Sequence, residues 1–127
     1  MNTTAPITVH GIANCDTIRR ARKWLEENGV AHRFHDYRKD GVEVEMLRPW
    51  VNALGVDALL NRRGTTWRSL GDDDRARVEG GNAEAALSLM ATHPALIKRP
   101  LFDFGGDYMV GFGKREQDIL ARRFGIA

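Results

Sequence analysis

The sequence is short of cysteine, of lysine and of long apolar runs, and each shortage removes a class of protein. Cys15 is the only cysteine among 127 residues, so no internal disulfide framework and no cysteine-rich zinc site can be built. No stretch approaches the roughly 18 apolar residues that a membrane helix needs. The start, Met1-Asn2-Thr3-Thr4-Ala5-Pro6, has neither a basic n-region nor an apolar h-region. The expectation is therefore a soluble cytoplasmic protein with no membrane attachment. A net charge of +2, from 19 basic and 17 acidic residues, supplies no field for nucleic acid. His10, His32, His35 and His93 lack the spacing of a histidine metal motif, so no metal is expected.

What is present in excess is arginine: 15 of the 19 basic residues, against four lysines. The planar guanidinium offers a fork of donors that suits carboxylates and tetrahedral oxyanions. Composition bias explains most of them. Three remain candidates for an anion site: Arg62 and Arg63 in the loop Asn61-Arg62-Arg63-Gly64-Thr65-Thr66, and Arg99 before Pro100.

Patterning gives an α/β chain. Ile7 to His10 is β-branched and stopped by Gly11, which predicts a strand. Ile18, Ala21 and Leu25 then repeat at helical spacing while Arg19, Arg20, Lys23 and Glu26 face away. Asn14 or Asp16 can cap that helix and Gly29 can end it. A second strand is expected over His32 to Tyr37, completing a β-α-β unit. Helices follow around Met46 to Leu54, with Pro49 as a kink, and over Asp72 to Val78 and Ala83 to Thr92. A strand is expected over Ala95 to Phe104, a turn at Gly105-Gly106-Asp107, a partner strand over Tyr108 to Phe112, and a closing helix over Lys114 to Phe124. The order is β-α-β, helices, then β-β-α, in one domain over 1–127 with a helical insertion at about 43–93. Trp24, Trp50 and Trp67 are expected as core or interface anchors, and Asp72-Asp73-Asp74 as a helix-start cluster.

This order puts Cys15 at the head of a helix that directly follows a strand. Unpaired backbone N–H groups and the positive end of the helix dipole favour a thiolate there. A free thiol with a pKa of about 8.5 is only about 3% ionised at pH 7, so even a modest fall changes its reactivity. Residue 18 is isoleucine, so there is no Cys-x-x-Cys pair and any redox turnover must recruit an outside thiol.

The segments G-I-A-N-C-D-T-I-R-R-A (11–21), F-H-D-Y-R-K-D-G (34–41), L-L-N-R-R-G-T-T-W (59–67) and H-P-A-L-I-K-R-P-L (93–101) carry a resemblance. Together they resemble the ArsC/Spx family, most closely its YffB-like branch. The resemblance implies a thioredoxin-like fold with the helical insertion between its halves, and Arg99-Pro100 at the cis-proline position facing the cysteine. It also implies a monothiol reductase of the arsenate reductase type, with glutathione as co-substrate, glutaredoxin as a further partner, no bound cofactor, and a small oxyanion or a disulfide as substrate. Cys15 is then the nucleophile. Arg63, Arg99, Asn14 and Thr17 form the set that binds an anion or glutathione, with Pro100 structural at the site. Within the loop, an ungapped match puts Asn61 at the arsenate reductase position, whereas the YffB-like and Spx pattern prefers Arg63. Phe112 stands where arsenate reductases carry a third arginine, with Lys114 or Arg115 as conceivable substitutes. The alternative is an Spx-like non-catalytic binding protein of the RNA polymerase α subunit. A monomer is expected.

Overall fold

The computed structural model describes residues 6–126; the leader-free reading of residues 1–5 lies outside them. The chain divides into two compact units. One runs up to Lys39 and resumes at Arg99; the other spans Asp40–Lys98 and holds the helical insertion.

The first unit contains β1 (Ile7–Gly11), α1 (Asp16–Glu27), β2 (His32–Asp36) and all but the last residue of α2 (Tyr37–Asp40). It is completed further along the chain by β3 (Leu101–Asp103), β4 (Tyr108–Val110) and α8 (Lys114–Arg123), the intervening helices being numbered below. Its sheet has the order β2-β1-β3-β4. β1 lies parallel to β2, with Val9 opposite Phe34 and His10 opposite His35, and antiparallel to β3, with Val9 opposite Phe102. β3 and β4 form the expected hairpin, Phe102 opposite Met109. The parallel pair needs a crossover and α1 supplies it, whereas the antiparallel pair closes through Gly105 and Gly106, both at positive φ. This is the β-α-β plus β-β-α arrangement of a thioredoxin-like α/β fold.

α1 exists because its apolar residues share one face. Ile18, Ala21 and Leu25 are buried, and they pack with Val9, Phe102, Met109, Phe112 and Leu120. The helix ends where Gly29 takes φ +68 and Val30 N–H donates to Leu25 O at 2.9 Å, a left-handed turn that glycine adopts without steric cost. α8 buries Leu120 and is opened by the Glu116 carboxylate, which accepts from the N–H of Gly113 at 2.9 Å.

Three strand expectations are corrected, one of them β4, which ends at Val110 rather than Phe112. Tyr37 is not strand: β2 stops at Asp36, whose Oδ1 accepts from the Arg38 N–H at 2.9 Å and turns the chain into α2. The strand expected over 95–104 is only Leu101–Asp103. Pro94–Leu96 form a 3-10 turn, and Ile97 makes an isolated bridge to Leu60. Pro94 and Pro100 each lack the N–H a continuous ladder would need.

The second unit contains α3 (Val44–Leu54), α4 (Val56–Leu59), α5 (Thr65–Ser69), α6 (Asp72–Glu79) and α7 (Ala83–Thr92). α3 and α7 pack together and bury Leu47, Trp50, Ala86, Leu87 and Met90. Pro49 lies inside α3 as expected. The loop expected over 61–66 ends sooner, because α5 begins at Thr65. Asp72–Asp74 form the first turn of α6, next to its dipole's positive end, and pair within the helix to Arg75 and Arg77.

Candidate functional site

The path from β1 to α1 is short: Gly11 ends the strand and Cys15 is already the N-cap, with φ −147° and ψ 125°. Any larger residue at position 11 would require Ile18 to shift, since a Cβ there would stand 2.9 Å from Ile18 Cγ1 and 3.5 Å from Arg99 Cβ. Neither cap expected from the sequence takes that place. Asn14 and Asp16 fall one residue before and one after it, and both side chains accept from the Arg19 guanidinium. The sulfur therefore occupies the position from which a capping oxygen would accept the N–H groups of the second and third helical residues, Thr17 and Ile18.

No side-chain capping hydrogen bond forms at Cys15, but its surroundings favour the ionised sulfur. Partial burial is the largest single influence and opposes ionisation. Against it act the Ile18 N–H, the Arg99 guanidinium through a hydrogen bond and through its charge, and the Thr17 N–H, and together they hold the thiol below its ordinary range. Arg99 reaches the sulfur from the turn before β3. The Arg99–Pro100 bond is cis, as the resemblance implied, and Pro100 is buried.

Of the residues singled out from the sequence, Cys15, Thr17 and Arg99 come together, Thr17 through its backbone. Asn14 is exposed and engaged with Arg19 at 3.3 Å. Arg63 lies in the second unit, exposed, its backbone N–H donating to Asn61 Oδ1 at 3.1 Å. Arg62 is held: Nη2 meets Asp57 at 3.0 Å, Nε meets Glu79 at 2.9 Å, and the guanidinium lies over the Trp67 ring at 5.5 Å. Phe112 is a core residue, 6% exposed, edge-on to Trp24 at 6.2 Å and near Phe102 at 6.5 Å. Lys114 is committed to Asp118 at 2.6 Å, and Arg115 is paired with Glu116 at 3.3 Å.

Sequence reasoning missed the ring cluster at the end of β1. His10 is 6% exposed, 5.0 Å from the His35 ring and 6.3 Å from that of Tyr37. Burial, then the neighbouring His35, pushes its pKa down to about 4 against an opposing pull from Asp103, so the imidazole is neutral at pH 7. Burial likewise pushes the Tyr37 phenol up, with Arg99 opposing. The signal lay in register: histidines 25 residues apart become neighbours once β1 and β2 pair in parallel. Among the described residues no group of three or more acidic, histidine or cysteine side chains could hold a metal, and no helix is long and apolar enough to cross a membrane.

Comparisons with known proteins bear on the family and the fold. The sequence profile of the ArsC family matches residues 10–120. An uncharacterised protein of Haemophilus influenzae is 41% identical over 110 residues, covering 87% of this chain and 94% of its own. A solved YffB protein superposes with a TM-score of 0.82 at 39% identity, over 89% of this chain and 96% of that one. An arsenate reductase (ArsC) related protein from Brucella melitensis gives 0.74 at 38%, over 94% and 97%. Global transcriptional regulators named Spx stand further off, the one from Oceanobacillus iheyensis at 25% identity over 89% of this chain and 80% of its own. With 111 of its 127 residues inside the profile, the chain belongs to the ArsC family.

Proposed function

We propose that the chain is a cytoplasmic, glutathione-dependent monothiol oxidoreductase related to arsenate reductase, with Cys15 as its nucleophile. The observation that supports it is the N-capping thiol held below its ordinary range by Ile18 N–H, Arg99 and Thr17 N–H. In the reaction the Cys15 thiolate attacks the glutathione sulfur of a mixed disulfide. The Cys15–glutathione bond forms, the substrate S–S bond breaks, and the substrate thiolate leaves and takes a proton from water. A second glutathione, as thiolate, then attacks Cys15–glutathione, releasing oxidised glutathione and restoring the Cys15 thiolate.

Arg99 holds the developing negative charge beside the sulfur. The family resemblance assigns Arg63 a share in binding the anionic group, with Asn14 and Thr17 flanking the cysteine. A disulfide suits this site better than arsenate, because Phe112 is packed into the core where arsenate reductases carry an arginine.

Iodoacetamide alkylation of Cys15 against pH tests the activated thiol, and a midpoint at or above that of a free thiol rejects it. Turnover of a glutathione mixed disulfide, abolished by Cys15→Ser, tests the reaction. The Spx relatives favour a second reading, a binding protein of the RNA polymerase α subunit. It predicts that Cys15→Ser protein still captures that subunit and that the wild type turns over nothing.

A further inference from the structure

Cys15 heads a row of charged side chains on α1. Arg19, Arg22 and Glu26 are spaced by three and four residues within α1 and so share one face of the helix that Cys15 caps. Lys23 flanks them. With Ala13 and Ile18 these four line a shallow groove of about 300 Å³. Cys15 itself does not line the groove, whose near end is formed by Ala13, two residues before the cysteine, and Ile18, three after it.

The charges in the groove are unevenly committed. Arg19 is tied to Asn14 and Asp16. Arg22 lies over the Phe34 ring at 4.5 Å with its Nε buried and without a hydrogen-bond partner. Lys23 has only a loose contact with Glu27, 3.9 Å between two exposed side chains, of the kind that contributes little. Glu26 makes no ion pair among the described residues. The groove thus offers two available cations and, one turn further from the thiol, one available carboxylate.

We propose that this groove seats the charged arm of glutathione while the glutathione sulfur meets Cys15, an inference that rests on the glutathione reading above. Arg22 and Lys23 take the carboxylate of the γ-glutamyl end, and Glu26 takes its ammonium. The reach is suitable. Arg22 is seven residues from Cys15, roughly 10 Å along the axis at 1.5 Å per residue, and helical side chains lean back toward the N-terminus, here toward the thiol. An extended chain covers roughly 3.5 Å per residue, and the γ-linked glutamyl adds two methylenes to that span. A volume of about 300 Å³ admits such an arm and is too small for a folded partner.

The step is a disulfide exchange. The Cys15 thiolate attacks one sulfur of oxidised glutathione, the Cys15–glutathione bond forms, the S–S bond of oxidised glutathione breaks, and the departing thiolate is protonated by water.

The test follows formation of that mixed disulfide on the full chain by intact mass, with oxidised glutathione and, separately, with uncharged bis(2-hydroxyethyl) disulfide. Replacing both cations, Arg22→Gln with Lys23→Gln, is expected to slow the glutathione reaction about tenfold, the loss of a charge-assisted contact, while the uncharged disulfide reacts as before. Because Arg22 packs on Phe34, the exposed single changes Lys23→Gln and Glu26→Gln give a readout that does not depend on that packing. Each is expected to slow the glutathione reaction severalfold. An acceleration in Glu26→Gln overturns the inference, since that carboxylate would then only repel the ligand. Equal slowing of both disulfides, or no change with either, also overturns it. A wild type that reacts with the uncharged disulfide and acquires no glutathione rejects the glutathione reading itself, and this inference with it.

Discussion

Replacing His10 with leucine probes the buried imidazole at the end of β1, and its effect on folding can be worked out from the structure. In the folded chain the pKa of His10 lies near 4, against 6.5 for an unhindered histidine. Below pH 6.5 the unfolded chain therefore binds a proton that the folded chain refuses, and stability falls as the pH falls. At about 1.4 kcal/mol per pH unit the loss reaches about 3 kcal/mol by pH 4. This contribution is fully present above pH 6.5 and fully withdrawn below pH 4. Leucine has a similar volume and no proton to take up. Urea unfolding of wild type and His10→Leu at pH 7, 6, 5 and 4.5 isolates the histidine, because the carboxylates that titrate over the same range are common to both. The difference between the two stabilities should narrow, or reverse in favour of leucine, by about 2 to 3 kcal/mol between pH 7 and 4.5. Curves that stay parallel within about 0.5 kcal/mol would show that the imidazole is protonated in the folded chain and refute the reasoning.

Other outcomes follow from the same geometry. Phe112→Arg, which installs the residue arsenate reductases carry, should cost at least about 3 kcal/mol in chemical denaturation, because it removes the ring that packs against both Trp24 and Phe102 and buries a charge with Arg20 only 5.7 Å from the ring it replaces. Gly11→Ala should push Ile18 off its seat, lowering stability by about 1 to 3 kcal/mol and slowing Cys15 alkylation together. Arg99→Leu should raise the alkylation midpoint and slow alkylation at pH 7, since a hydrogen bond and a charge leave while the burial that opposes ionisation stays.

α1, the β3–β4 hairpin and α8 were legible because each carries its own period or turn signal, and so was Cys15 as the head of a helix. The limits of β2 and β3 were not. Asp36 ends one by a side-chain turn that competes with the ladder, and Ile97 is drawn into a bridge with Leu60, a residue 37 positions away. Asn14 and Asp16 resemble caps in sequence but lose the place to Cys15 by one residue each, a distinction finer than pattern reading resolves. The Arg99 contact with the sulfur was legible only through the family resemblance. In the sequence pattern Arg19, Lys23 and Glu26 do no more than face away from the apolar stripe of α1. Arg22, which lines the groove with them, packs on Phe34, and that ring reaches α1 only once β2 has paired with β1.

The placement of Cys15 at the N-cap has a further consequence for turnover. Whatever stabilises the thiolate there also stabilises it as a departing group, so a mixed disulfide on Cys15 breaks readily when a second thiol arrives. The helix that makes the cysteine quick to attack also makes it quick to let go, and a lone cysteine with no neighbouring thiol to release it depends on that second property as much as on the first.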